Sequence, residues 1–179
     1  NAYQEAYDYC TRGKELIKPL QESAERKETE LSLELLAGVC LASLKGYAAI
    51  EAQEAFSAAQ SMSRNIGNKS LLFQTLAGLW SFELIRGELR SALDLAKRKM
   101  ILASALRDSG CLVEAHMSMG ISLFYTGSFL SSRDYLKKCL DLYDIQKHTY
   151  LTSLYGWDPA VVSLCYLPSA VWILGEPDS

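Results

Sequence analysis

Apolar residues return every three or four positions along most of the chain, as in Leu72, Leu76, Leu79 and Trp80 or in Leu136, Leu140 and Tyr143. That spacing gathers them on one face of an α-helix, whereas a half-buried strand would alternate every second residue. β-Branched runs with such alternation are missing, and Ala, Leu, Glu, Lys and Ser dominate, a composition that favours helix. The pattern predicts helices over 2–17, 25–45, 48–66, 70–86, 89–107, 111–126, 129–144 and 160–174. Asp158-Pro159 is a start signal for the last of them, the aspartate capping free amides and the proline occupying the first helical position. Pro168 is expected to kink or split that helix, because it removes a backbone donor and crowds the preceding turn.

The helices repeat. Leu36-Ala37-Gly38 returns as Leu76-Ala77-Gly78, a step of 40 residues (36 to 76), and Gly87 returns as Gly127 at the same step, with Gly46 one residue out of register. Gly46, Gly87 and Gly127 each follow an apolar helix and precede an amphipathic one, and Gly175 closes the last helix. A residue tolerant of positive φ is what a helix C-terminus needs there. Small residues recur where helices must come close: Gly38, Gly78, Ser118 and Gly120 on the first helix of each pair, Ala92 and Ser132 on the second. Pairs of this kind cannot bury their apolar stripes alone, so they must stack on their neighbours around one core. The expectation is an all-α fold, an α-α superhelix with a repeat near 40 residues, in a single repeat domain spanning 1–179 and cut from a longer protein within the array at both ends. Tyr3, Tyr7 and Tyr9 near the start face either a groove or a preceding repeat.

Composition narrows the partners. Hydrophobic residues make up 49% and the net charge is -3, with 18 Lys+Arg against 21 Asp+Glu. Such a chain is ordered, and it has no cationic excess to displace counterions from a nucleic acid. The Lys97-Arg98-Lys99 run reads as a solvated helix face. Five cysteines, Cys10, Cys40, Cys111, Cys139 and Cys165, lie far apart without a C-x-x-C pair, as in a reducing, cytoplasmic setting with no metal site. The opening residues do not read as a signal peptide. The longest apolar stretch, 160–174, is too short for a membrane span.

Catalytic chemistry has little to draw on. Only His116 and His148 are available as imidazoles, and no nucleophile with an oriented base, phosphate-binding loop or cofactor motif accompanies them. His116 is expected to pack on a first helix with a ring nitrogen bonded to a neighbouring turn. The most individual stretch is Tyr155-Gly156-Trp157-Asp158-Pro159, inside a connection that lengthens the glycine step to 48 (127 to 175). Longer loops in a regular array are where function is grafted. One reading makes Tyr155 and Trp157 aromatic anchors for a partner, with His148 a polar contact and Asp158 beside them. The other makes Trp157 a plug over the hairpin end and Asp158 a helix cap. The last helix, with Val161, Val162, Leu164, Tyr166, Val171, Trp172 and Ile173, needs cover for its apolar face, so self-association through the C-terminal end is expected.

His116, Met119-Gly120, Leu123, Gly127, Phe129, Ser132, Leu136 and Cys139 together resemble the tetratricopeptide pattern of large, small and aromatic positions. The step near 40 departs from the family's ~34, Trp80 stands at a small-residue position, and the closing proline is missing. Over 72–178, the residues Ala115-His116, Gly120, Leu123-Phe124, Gly127, Tyr135-Leu136, Leu142-Tyr143-Asp144, His148, Tyr155-Gly156, Asp158-Pro159, Trp172, Leu174-Gly175 and Pro177-Asp178 resemble the repeat region of large bacterial signalling ATPases. The resemblance implies a right-handed solenoid of helical hairpins, attached in the parent protein to ATPase and cyclase or kinase domains. It implies a regulatory, protein-binding role without catalysis, cofactor or metal. A rival expectation is a small effector that binds within the superhelix and changes its curvature.

Overall fold

A computed structural model describes residues 2–46, 49–63 and 66–175. Among these, every regular element is helical: α1 (Ala2–Ile17), α2 (Ala24–Lys45), α3 (Ile50–Ser63), α4 (Lys69–Ile85), α5 (Leu89–Leu106), α6 (Ser109–Tyr125), α7 (Phe129–Leu142), α8 (Ile145–His148), α9 (Tyr150–Tyr155) and α10 (Pro159–Ile173). The helices gather into two compact units, Asn1–Arg86 and Gly87–Ser179. The expected helix over 48–66 is shorter, with Ile66 outside it; Ala48, Arg64 and Asn65 lie outside the described residues, as do Pro177 and Asp178 of the family resemblance. Two short helices, α8 and α9, occupy what the sequence presented as a long connection.

Local chemistry sets the ends. Ser23, Asn68 and Asp108 each accept a hydrogen bond from the amide three residues on, at 3.1, 3.1 and 2.8 Å, which satisfies a donor that the first helical turn leaves free. At the end of α6, Ser128 N–H donates to the Leu123 carbonyl at 2.9 Å and Gly127 N–H to that of Phe124 at 3.0 Å. That double closure needs a left-handed residue, and Gly127 has φ 80°. Gly46, Gly87 and Gly175 also have positive φ. Arg107 takes the left-handed conformation at the end of α5, with φ 56°, without a glycine to announce it.

Within the first unit, α1 packs on α2, and α2 on α3 and α4. Phe56 of α3 is the centrepiece. Its ring lies 3.3 Å from where a Cβ on Gly38 would stand and 3.4 Å from that of Gly78, so these two glycines make room for one aromatic ring. The Phe82 ring lies 4.9 Å from it. Full burial of a phenylalanine of this kind contributes about 1.5–3 kcal/mol. Leu31, Ala59 and Leu71 form a neighbouring cluster covered by Leu35, Met62 and Ile66.

Within the second unit, α6 is enclosed by α5, α7 and α10. Leu136 of α7 sits directly over Gly120 of α6, where an added Cβ would come within 2.6 Å of the leucine. Ser132 donates to the Gly120 carbonyl at 2.7 Å. Both approaches depend on the missing side chain. α10 packs on α6 and α7, with the Tyr166 ring 5.4 Å from Phe124 and its hydroxyl 2.9 Å from that of Tyr125. Contrary to the expected break, α10 runs unsplit through Pro168. Pro168 and the residue four before it, Leu164, are both exposed, so water reaches the carbonyl that the proline leaves without its helical donor.

The sequence step of 40 is also a burial step. Ala52, Ala55, Phe56, Ala59 and Ser63 of α3 are buried, and so are Ala92, Leu95, Ala96, Lys99 and Ala103 of α5, each 40 residues on. Ser132, Leu136 and Cys139 continue the series in α7.

Candidate functional site

Lys99 breaks the sequence reading of its neighbourhood. It was expected on a solvated face with Lys97 and Arg98, and those two are exposed, but Lys99 stands in the register of Ala59 and Cys139 and is 0% exposed. Its ammonium pairs with the carboxylate of Glu114 on α6, itself 0% exposed. Lys99 Nζ also donates to Ser118 Oγ at 2.6 Å, and that hydroxyl donates to the Glu114 carbonyl at 3.0 Å. Burial pushes the Lys99 ammonium below its ordinary value and the Glu114 carboxyl above its own, although each attracts the other. Desolvation therefore outweighs mutual attraction for both charges.

Trp157 lies beside this pair and favours the Glu114 carboxylate. Its ring stacks on Tyr155 with centroids 6.1 Å apart and planes 23° from parallel. Burial pushes the Tyr155 hydroxyl up, and the Glu114 charge adds to the shift. Both aromatic residues are half-buried. Asp158 caps α10, its Oδ1 accepting from the amides of Ala160 at 2.8 Å and Val161 at 3.1 Å. The other oxygen accepts from the Tyr143 hydroxyl at 2.5 Å, a bond that pushes the phenol up to about 12.

His148, expected as a polar contact for a partner, is only 2% exposed and both its nitrogens are engaged. The Asp144 amide donates to Nδ1 at 2.9 Å, so the proton sits on Nε2, which donates to Ser109 Oγ at 2.9 Å. The ring thus fastens the α8–α9 segment to the first turn of α6. Tyr150 reinforces the seam: its hydroxyl lies where a Cβ on Gly110 would be. His116 packs as expected, 5.5 Å from the Tyr135 ring, but its Nδ1 is buried without a hydrogen-bond partner, correcting the expected bond to a neighbouring turn.

The four residues singled out from sequence are thus drawn into one seam, with their polar atoms directed inward. Large apolar residues are exposed on several helices, among them Tyr9 and Leu16 of α1 and Ile101 of α5, and α10 gathers a run of them. Val161, Leu164 and Trp172 are 59%, 57% and 74% exposed, and Cys165, Pro168 and Ser169 join them in one stripe. No charged residue occurs in α10. Among the described residues no helix is long and apolar enough to cross a membrane, and no three of His, Cys, Asp and Glu gather as a metal site would need. In the first unit a hollow of about 360 Å³ lies between α2 and α4, lined by Glu25, Glu28, Thr29, Ser32, Asn68 and Gln74 among others, and it is open to solvent. Comparison with known proteins finds no matching family model and no matching curated protein.

Proposed function

We propose that this chain is a tetratricopeptide-like module, a right-handed superhelix of hairpins, that holds other protein segments. In this reading it serves as a regulatory arm of a cytoplasmic bacterial signalling ATPase and performs no catalysis itself. The regular burial step of 40 residues supports a repeat array. His148 is occupied in packing, and His116 lies against Tyr135, which leaves little for acid-base work.

The observation that carries the reading is the α10 stripe. An exposed apolar face of this size marks a contact surface on a protein, and Trp172 is the residue type in which binding energy concentrates. A small-effector reading would need an enclosed, mostly apolar cavity with a few convergent polar groups; the hollow between α2 and α4 is open and polar and does not itself fit that description. Sedimentation velocity over a range of concentrations tests it. The native chain is expected to associate through α10 and Trp172→Glu to sediment as a monomer. Identical monomers for both proteins contradict the proposal.

A further inference from the structure

α5, α7 and α10 enclose α6, yet the composition of α6 does not say which of its faces belongs to which neighbour. Buried residues run around its circumference, Val113, Ala115, Met117, Met119 and Ile121 among them, and Glu114 is its single Asp, Glu, Lys or Arg. A helix that is apolar all round carries no stripe to set its rotation about its own axis. α7 supplies shape on its side, with Leu136 over Gly120 and Ser132 bonded to the Gly120 carbonyl. On α5 the buried residues other than Lys99 are Leu95, Ala92, Ala96 and Ala103, a face with little relief. Lys99 reaches from that face to two residues one turn apart on α6, pairing with Glu114 and donating to Ser118 at 2.6 Å. The same register one step earlier holds Ala59, Gln74 and Gly78, and α3 packs on α4 without a charge there. The fold therefore does not need an ion pair at this place. Burial disfavours both charges, so the pair is a poor source of stability.

We infer that Lys99, Glu114 and Ser118 form a rotational key: they fix which face α6 turns to α5 and, through α6, the seat of α10. The key works whatever the chain binds. Turning α6 by one residue, about 100°, withdraws the carboxylate and leaves the ammonium buried without its counter-charge, a cost that excludes the turned setting. The same turn would carry Phe124 and Tyr125 away from Tyr166 of α10, whose ring lies 5.4 Å from Phe124 and whose hydroxyl lies 2.9 Å from that of Tyr125. Selecting one register at a cost in stability is the best-attested use of a buried polar group between helices. That role gives a reason for a lysine in the register of Ala59 and Cys139, where small residues pack.

Removing both charges separates fixing from stabilising. In the full chain, Lys99→Met with Glu114→Leu keeps side-chain bulk. It is compared with the native chain and with Leu95→Met, which alters the same face and keeps the pair. Urea midpoints report stability, and two-dimensional amide spectra report how many settings α6 and α10 take. The uncharged variant is expected to keep a midpoint close to the native one while the amide peaks of α6 and α10 split into two sets, the second amounting to about 10% or more. The peaks of α1 to α3, and every peak of Leu95→Met, are expected to stay single. A single set at native positions in the uncharged variant overturns the proposal. So does a midpoint well below the native one or a failure to fold, either of which makes the pair a stabilising contact. Splitting in Leu95→Met as well assigns the setting to shape rather than charge and overturns it too.

Discussion

Helices α6 and α10 share a register set by Gly127 and Gly175, yet one is enclosed and the other is half bare. Both are apolar around most of their circumference, and both start at an aspartate whose side chain caps the first turn. α6 is covered on three sides, so Val113, Met117 and Ile121 are buried; the matching Val161, Cys165 and Ser169 of α10 are exposed. The sequence of each helix prepares it for enclosure, and only the neighbours decide whether enclosure happens. Substitutions at matched positions should therefore cost a great deal in α6 and little in α10.

The largest contrast is expected from Glu114→Ala. It leaves the Lys99 ammonium buried without its carboxylate and should destabilise the second unit by about 3–5 kcal/mol, read from the urea midpoint. Replacing both partners, Lys99→Met with Glu114→Leu, should restore most of that loss, because burial disfavours both charges. A pair whose double replacement remains as damaging as the single one would show that the charges themselves hold α5 to α6.

Gly120 and Pro168 share a register position and should respond with opposite signs. Gly120→Ala drives a Cβ into Leu136 and should cost about 1–3 kcal/mol. Pro168→Ala relieves an exposed helix interior of a residue about 3 kcal/mol worse than alanine and should raise the thermal midpoint. Equal signs would contradict the claim that Gly120 is covered by Leu136 while Pro168 is bare.

Asp158 gives a smaller effect with a pH signature. Burial pulls its carboxyl up, but the Tyr143 hydroxyl and the amides of Val161 and Ala160 outweigh this and hold it below its ordinary value. A carboxyl depressed in the folded state adds stability above its unfolded pKa, near 3.9, and loses that stability as pH falls through the folded value. Asp158→Ala should therefore cost about 1–2 kcal/mol at neutral pH, a deficit that shrinks below about pH 4. The smallest effect on stability is expected at Trp172. Trp172→Glu should leave the thermal midpoint within the ~0.5 kcal/mol range of surface changes while abolishing association.

The helical framework was legible because the long helices carry apolar residues at helical spacing, and α2, α4, α6 and α10 add a polar cap at the start and a glycine after the end. α8 and α9 were not, since four and six residues are too few to show a period, and α8 is held by His148 bonding to Ser109 on a distant turn. Lys99 was missed because its neighbours in sequence, Lys97 and Arg98, suggested a solvated run. Its register with Ala59 and Cys139 is the signal that would have found it. The α10 stripe was visible in a helix without a single charge, whereas the inward turn of Trp157 and His148 follows from contacts with α6 that no local pattern encodes.

Cys165 sits within the exposed stripe of α10, and Cys10, Cys40 and Cys139 are buried. Burial pushes the half-buried Cys111 thiol up to about 12, which suppresses its thiolate. The rate of Cys165 alkylation, read by peptide mass spectrometry, therefore reports directly on whether that face is covered. The account predicts fast alkylation in the dilute chain and several-fold slower alkylation at concentrations where the chain associates. An unchanged rate across that range would contradict the assignment of α10 as a contact face.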